Sequence, residues 1–348
     1  MGQLIASPPL YEKLKDELRD YIGRERPRLL PGENELVTHY GVSRNTVRRA
    51  LRDLTTEGLL RPVQGLGTLV NYDQPPEKRR YILVLADSRF DSAAHEAFST
   101  LMRVLQDYRL NALLSLVEES SVDEANLRYL LHKSEGVILD QSLSASDRLH
   151  GLISGSGTPM VCLRCWESRF ADDNFVIEDV AEGFYLLARH LLEAGHREIA
   201  ILCHPGDGLR LPGIRRAMAE FGMEPDPALL VPIEVGRRPE GYRAADELLR
   251  RNRRFTAIIG HNDASALGIM ERLFRAGLRV PEDVALTGAD SLAEAAEFPV
   301  PLTTFGGDLQ AMINECISIL LAGSRAKPRR KLFPVRLTFR ESTSTAIR

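Results

Sequence analysis

The chain has 348 residues, of which 45 are Lys or Arg and 48 Asp or Glu, for a net charge of −3. That length leaves room for a small module plus one larger or two-lobed domain. The near balance of charge excludes a global basic field, so any nucleic-acid affinity must be local.

The four cysteines are too few for a disulfide scaffold in a chain this long. No signal-peptide apolar core is visible at the N-terminus, and no apolar run approaches the roughly 20 residues of a membrane span. A cytoplasmic protein is expected. In chain order, Leu10, Leu14, Leu18, Tyr21 and Ile22 form one apolar face of a first helix, with Ser7 and Pro8 as its cap and first turn. Glu33 to Tyr40 reads as a short second helix buried through Leu36, Val37 and Tyr40, and Gly41 as the left-handed turn that follows. Ser43 caps a third helix, in which Val47, Ala50, Leu51 and Leu54 recur at helical spacing. That stripe leaves Arg44, Asn45, Arg48 and Arg52 facing outward, where arginine can fork onto guanine or clamp a phosphate and Asn or Thr suits adenine edges. Two short apolar runs, Leu59-Leu60 and Thr68-Leu69-Val70, then flank a Gly65-x-Gly67 tip able to approach a phosphate backbone. The whole reads as a winged helix-turn-helix, with Ser43, Arg44, Asn45, Thr46, Arg48, Gln64 and Gly65 as candidate DNA-binding residues.

Residues 8 to 71 resemble the winged helix-turn-helix of the GntR regulator family. The resemblance rests on Leu30-Pro31-Gly32-Glu33-Asn34-Glu35-Leu36, on Gly41-Val42-Ser43-Arg44-Asn45-Thr46-Val47-Arg48, on Leu54 and Glu57-Gly58-Leu59, and on Gly65-Leu66-Gly67-Thr68. It implies phosphate and base contacts from Arg44, Thr46 and Arg48, with Gly65 near the minor groove. Asn34 departs from it, standing where many relatives carry an arginine.

A polar, proline-containing stretch from Asn71 to Arg80 marks an interdomain linker, giving boundaries of 1–71, 72–80 and 81–348. Beyond it, apolar strands expected at 81–86, 111–117, 136–140, 160–163, 198–203, 256–260 and 284–287 alternate with helices such as Val180 to Glu193. Repeated βα units of this kind imply a parallel sheet covered on both faces, with ligands beyond the strand C-termini.

This region resembles the sugar-responsive domain of the LacI/GalR family, best from about residue 134 onward. The carrying residues are Ser134 to Leu139, Thr158 to Val161, Glu178-Asp179, His190 to Ala200, Thr256 to Ile259, Asn262-Asp263 with Ala266-Leu267-Gly268, Val280 to Asp290, and Pro301 to Thr304. The fold class expected is therefore α/β: an N-terminal winged helix-turn-helix (α+β) plus a bilobed, parallel-sheet, periplasmic-binding-protein-like (type I) domain. By matching position the resemblance implies effector contacts from Asp179, Arg210, Asn262 and Asp290, whose side chains suit vicinal hydroxyls. Asp179 and Asn262 also suit helix starts, and Arg210 a surface loop. Trp166, the sole tryptophan, follows a strand and could stack on a sugar or pack at a lobe interface. The segment from Tyr81 to Val117 is short and lacks the aromatic-rich loop after the first strand, so that loop's contacts do not carry over.

Cys162-Leu163-Arg164-Cys165 is a C-x-x-C, but it ends an apolar strand, and no second pair completes a zinc site. No metal and no cofactor are expected. An enzyme of the aminotransferase type would need a Schiff-base lysine, and beyond the linker only Lys133, Lys327 and Lys331 exist. The expectation is a non-enzymatic transcription regulator, a repressor, that binds operator DNA as a homodimer away from any membrane and answers to a small polar effector, a sugar. The alternatives are a ligand-free interaction module and a DNA-binding domain fused to an enzyme.

Overall fold

The computed structural model describes residues 9–63, 67–71, 81–87, 92–108, 110–140, 143, 146–164, 173–204, 208–323 and 328–343. The chain divides into two compact units, Met1–Arg79 and Arg80–Arg348.

In the first unit, helices α1 (Leu10–Glu25), α2 (Glu33–Tyr40) and α3 (Arg44–Thr56) precede strands β1 (Leu60–Val63) and β2 (Gly67–Val70). Gly41 ends α2 at φ 62°, a left-handed conformation that a side chain would strain. Two residues on, the Ser43 hydroxyl accepts from the Thr46 N–H at 3.2 Å and fixes the start of α3. Val47, Ala50 and Leu54 are fully buried against Leu14, Leu18, Ile22 and Leu36, forming the core of the unit. Two sequence expectations need correction. Leu10, at the first turn of α1, is 63% exposed and lies off the apolar face, and Leu51, Val37 and Tyr40 pack only half-buried at the edge of the core. The Ser7-Pro8 cap and the wing tip at Gln64 and Gly65 fall outside the described residues. β1 and β2 pair antiparallel, and Leu29 bridges to Leu69 as a third line of the wing sheet.

The second unit has two lobes. The first carries β3 (Tyr81–Asp87), α4 (Ser92–Asp107), β4 (Asn111–Val117), α5 (Glu124–Lys133), β5 (Ser134–Asp140), α6 (Asp147–Ser156), β6 (Met160–Leu163) and β7 (Asn174–Glu178). The second carries α7 (Val180–Glu193), β8 (Ile199–Cys203), α8 (Arg210–Glu220), β9 (Leu230–Pro232), α9 (Arg238–Arg250), β10 (Ala257–Ile259), α10 (Asp263–Arg275) and β11 (Ala285–Thr287). The chain then runs through β12 (Thr304–Gly307), returns to the first lobe with α11 (Leu309–Ala322) and β13 (Arg330–Phe333), and ends on β14 (Val335–Thr338), antiparallel to β12. It thus passes between lobes near Asp179, Asp308 and Pro334.

Both lobe sheets are parallel, ordered β13-β7-β6-β5-β3-β4 and β11-β10-β8-β9. Their strands are nearly all apolar because helices cover both faces: α4 and α11 against α5 and α6 in the first lobe, α7 and α8 against α9 and α10 in the second. The expected strands from β3 to β6, and β8, β10 and β11, form within a residue or two of their expected limits, and α7 forms as read. The strands the sequence did not reveal are β7, β9 and β12 to β14, which are short or carry charge and glycine where an apolar run would have marked them. A close helix contact shapes the cleft side of the second lobe. A Cβ on Gly183 would lie 2.1 Å from the Phe305 ring, so glycine in α7 is what lets Phe305 seat there.

Candidate functional sites: a helix face and an interlobe cleft

The exposed face of α3 presents Arg44, Asn45, Arg48 and Arg52, as read from the sequence. Thr46 is half-buried, and its hydroxyl lies 2.8 Å from that of Ser43, so both are engaged in the cap. Arg44 donates to the Asn34 side-chain oxygen at 2.6 Å and Arg48 to a Glu33 carboxylate oxygen at 2.8 Å. These exposed pairs contribute little to stability. Arg49 instead lies over the Tyr11 ring at 3.7 Å and braces α3 on α1. Behind the helix, the nearly buried Lys15 ammonium sits 3.1 Å from Glu57, which also accepts from Arg19. Burial opposes the Glu57 charge, but hydrogen bonds from Arg19 and Lys15 outweigh it and hold the carboxyl below its ordinary range.

The second site follows from topology: in open parallel sheets ligands bind beyond the strand C-termini. There β6, β7 and β11 deliver Arg164, Glu178 and Asp290 to the cleft between the lobes, where they meet Arg210, Phe184 and Phe305. Arg164 donates through Nε (3.2 Å) and Nη2 (2.9 Å) to one Glu178 oxygen, and through Nη2 to Asp290 at 3.1 Å. Burial disfavours its charge, yet the Glu178 and Asp290 carboxylates prevail and raise its pKa above the ordinary arginine value. Arg210 is 6% exposed, with its guanidinium 5.4 Å from the Phe184 ring centre, and Phe184 meets Phe305 edge to face at 5.2 Å. Free space between these groups amounts to about 20 Å³, enough for one water.

Beneath Asp290 lies Asp263, fully buried, accepting from the Thr304 hydroxyl at 2.6 Å and the Leu292 N–H at 2.8 Å. Burial, reinforced by the nearby Asp290 charge, pushes its pKa well above the usual carboxylate range. The carboxyl braces the loop that aims Asp290.

Of the five sequence-identified effector residues, Arg210 and Asp290 come together at the cleft. Asp179 caps α7 through the Glu182 N–H, and Asn262 caps α10 in a reciprocal pair with Ser265; neither lines the cavity. Trp166 lies outside the described residues. Arg164 and Glu178, which the sequence reading did not name, also line the opening; each is a charge at the end of an apolar strand, which is the signal that could have found them. The C-x-x-C drew attention to the cysteines flanking Arg164; Cys162 is buried in the sheet. Among the described residues no cluster of His, Cys, Asp and Glu could hold a metal ion, and no helix is long and apolar enough to cross a membrane.

Residues 10–70 match the family of bacterial regulatory proteins of the gntR type, and residues 188–343 match the periplasmic binding protein-like domain. A basic recognition helix on the one and a bilobed, charged cleft on the other define the class: the chain is a DNA-binding transcription regulator that joins a gntR-type winged helix to a periplasmic-binding-protein-like domain. It is 28% identical over 318 residues to the arabinose metabolism transcriptional repressor of Geobacillus stearothermophilus, covering 85% of this chain and 86% of that protein. It is also 33% identical over 193 residues to the transcriptional repressor PurR of Haemophilus influenzae, spanning 54% of this chain and 56% of that one. In fold it is similar to a LacI family regulator of Enterococcus faecium with bound ribose (TM-score 0.67, 22% identity, 77% of this chain and all of that one). A regulator CelR–cellobiose complex matches with TM-score 0.68 and 23% identity over 97% of this chain and 100% of that chain.

Proposed function

We propose that this regulator is a repressor that reads its operator through α3 and the wing as a homodimer, and that a small polar effector, a sugar, enters the cleft of the second unit and changes operator affinity. The observation that carries the effector half is the set Arg164, Arg210, Glu178 and Asp290 beside Phe184 and Phe305: buried and half-buried donors and acceptors next to aromatic faces suit a ring bearing hydroxyls. Support comes also from the ribose and cellobiose named with the two similar structures. A lac repressor dimer bound to operator, similar in fold at TM-score 0.64 and 22% identity over 77% of this chain and 96% of that one, supports the dimer. In this reading Ser43, Arg44, Asn45, Thr46, Arg48, Gln64 and Gly65 form the DNA side. Asp290 and Arg210 touch the effector, while Asp179 and Asn262 fix the helices that carry the cleft walls. The protein acts in the cytoplasm without cofactor, metal or catalytic step.

The narrow cavity favours one competing reading, a cleft that takes no ligand. A thermal-shift screen of mono- and disaccharides on the full chain separates the two, since stabilisation follows ligand concentration over Kd. A sugar that raises the melting temperature in a saturable way, and alters binding to DNA selected by the protein from random fragments, supports the proposal. No shift from any sugar at millimolar concentration leaves the ligand-free module.

A further inference from the structure

Arg164 and Asp290 come from opposite lobes, and their 3.1 Å ion pair crosses the cleft. Both residues adopt positive φ, 61° for Arg164 and 104° for Asp290, and Ser291 follows at 52°. Non-glycine residues are held in that region only where the surroundings over-determine them, as at ligand clamps and switches. On its own lobe Arg164 is anchored by two hydrogen bonds to Glu178, and Asp290 is anchored on its lobe by its N–H to the Phe305 carbonyl at 2.9 Å. The bridge is therefore anchored at both ends. A second tie, from the Ala293 N–H to Glu96 on α4 at 3.2 Å, crosses nearby. The bridge thus stands across the opening lined by Arg210, Phe184 and Phe305.

We propose that Arg164 is the effector-sensing residue of the cleft: its guanidinium latches the two lobes through Asp290, and the effector enters by replacing that bridge with its own hydrogen bonds. A ligand that does so must accept from the guanidinium and donate to the carboxylate, as adjacent hydroxyls of a neutral polyol do. The latch extends the effector reading above, but it is a property of the effector-free protein and can be tested without any sugar.

The experiment places spin labels on the two lobes of the full chain, by Arg128→Cys on α5 and Arg250→Cys on α9, whose side chains are 60% and 72% exposed. Cys165→Ser is added throughout, the three described cysteines being buried. Without ligand, the interlobe distance is measured by pulsed electron resonance in this background and with Arg164→Gln, Asp290→Asn and both together. A latch predicts that each single change moves the distribution to longer distances by more than its original width, that the double change adds nothing further, and that Arg164→Lys falls between. Unchanged distributions in both single variants overturn the latch, as do single effects that add in the double. If Arg164→Gln fails to fold because Glu178 is left buried and unpaired, Asp290→Asn alone decides against the parent. A failed sugar screen with a positive distance result would sink the effector reading and leave the latch intact.

Discussion

At Arg48 the sequence placed an exposed guanidinium on α3, and the structure adds an exposed pair with Glu33 on α2 at 2.8 Å. Replacing Arg48 or Arg44 by alanine is expected to weaken operator binding by about 1–3 kcal/mol where the fork reads a base. Where it holds a phosphate, the slope of affinity against salt should fall by about one. Fluorescence anisotropy over a salt series distinguishes the two, and unchanged affinity in both variants would remove α3 from the groove. Arg210 makes a matching statement for the cleft. Arg210→Ala should abolish sugar binding by calorimetry and leave effector-free operator binding intact, because an effector acts only through its differential affinity for two states. Loss of DNA binding without ligand would instead assign Arg210 to holding α8 and Phe184 in place.

Among the elements, α3 depends on its cap. Ser43→Ala leaves the Thr46 N–H unpaired and should cost about 1 kcal/mol of stability, read from urea unfolding of the first unit. For α7, the Gly183→Ala methyl would meet the Phe305 ring, and the overpacking is expected to cost about 1–3 kcal/mol while reshaping the cleft wall. The α1–α3 contact carries a pH dependence through Glu57. Its folded pKa lies below its ordinary value, so its contribution is present above the unfolded carboxyl pKa, about 4.3 to 4.5, and is lost as pH falls through the folded one. Glu57→Gln should flatten that acid limb in a series of melting curves; an identical acid limb in wild type and variant assigns it to other carboxylates.

For the molecule as a whole, residues 80 to 348 form a compact unit with two double-faced sheets and should fold when expressed alone. Closed twofold symmetry is the commonest arrangement and twofold operators mirror it, so this fragment is expected to dimerise. Light scattering at micromolar concentration checks it, and a monomer there would shift dimerisation to the first unit or to DNA.

The local pattern of the chain was sufficient for the helix-turn-helix and for most strands. Gly41, the Ser43 cap and the Val47, Ala50, Leu54 stripe act within one helical turn, and the apolar runs of β3 to β6, β8, β10 and β11 need only their own burial. Asp290 and Arg210 were named through the resemblance to the LacI/GalR domain, and the structure brings both to the cleft. What the sequence could not supply is which charges face one another. Arg164 and Asp290 are 126 positions apart and sit on different lobes, so their meeting depends on how the lobes pack. By the same token Asp179 and Asn262 look equivalent to Asp290 along the chain, yet their oxygens are taken by the first turns of α7 and α10. Local periodicity sets elements, since a side chain's face is decided by residues three or four away. A cleft is set by the packing of elements against one another, and only there does an arginine between two cysteines become the bridge between lobes.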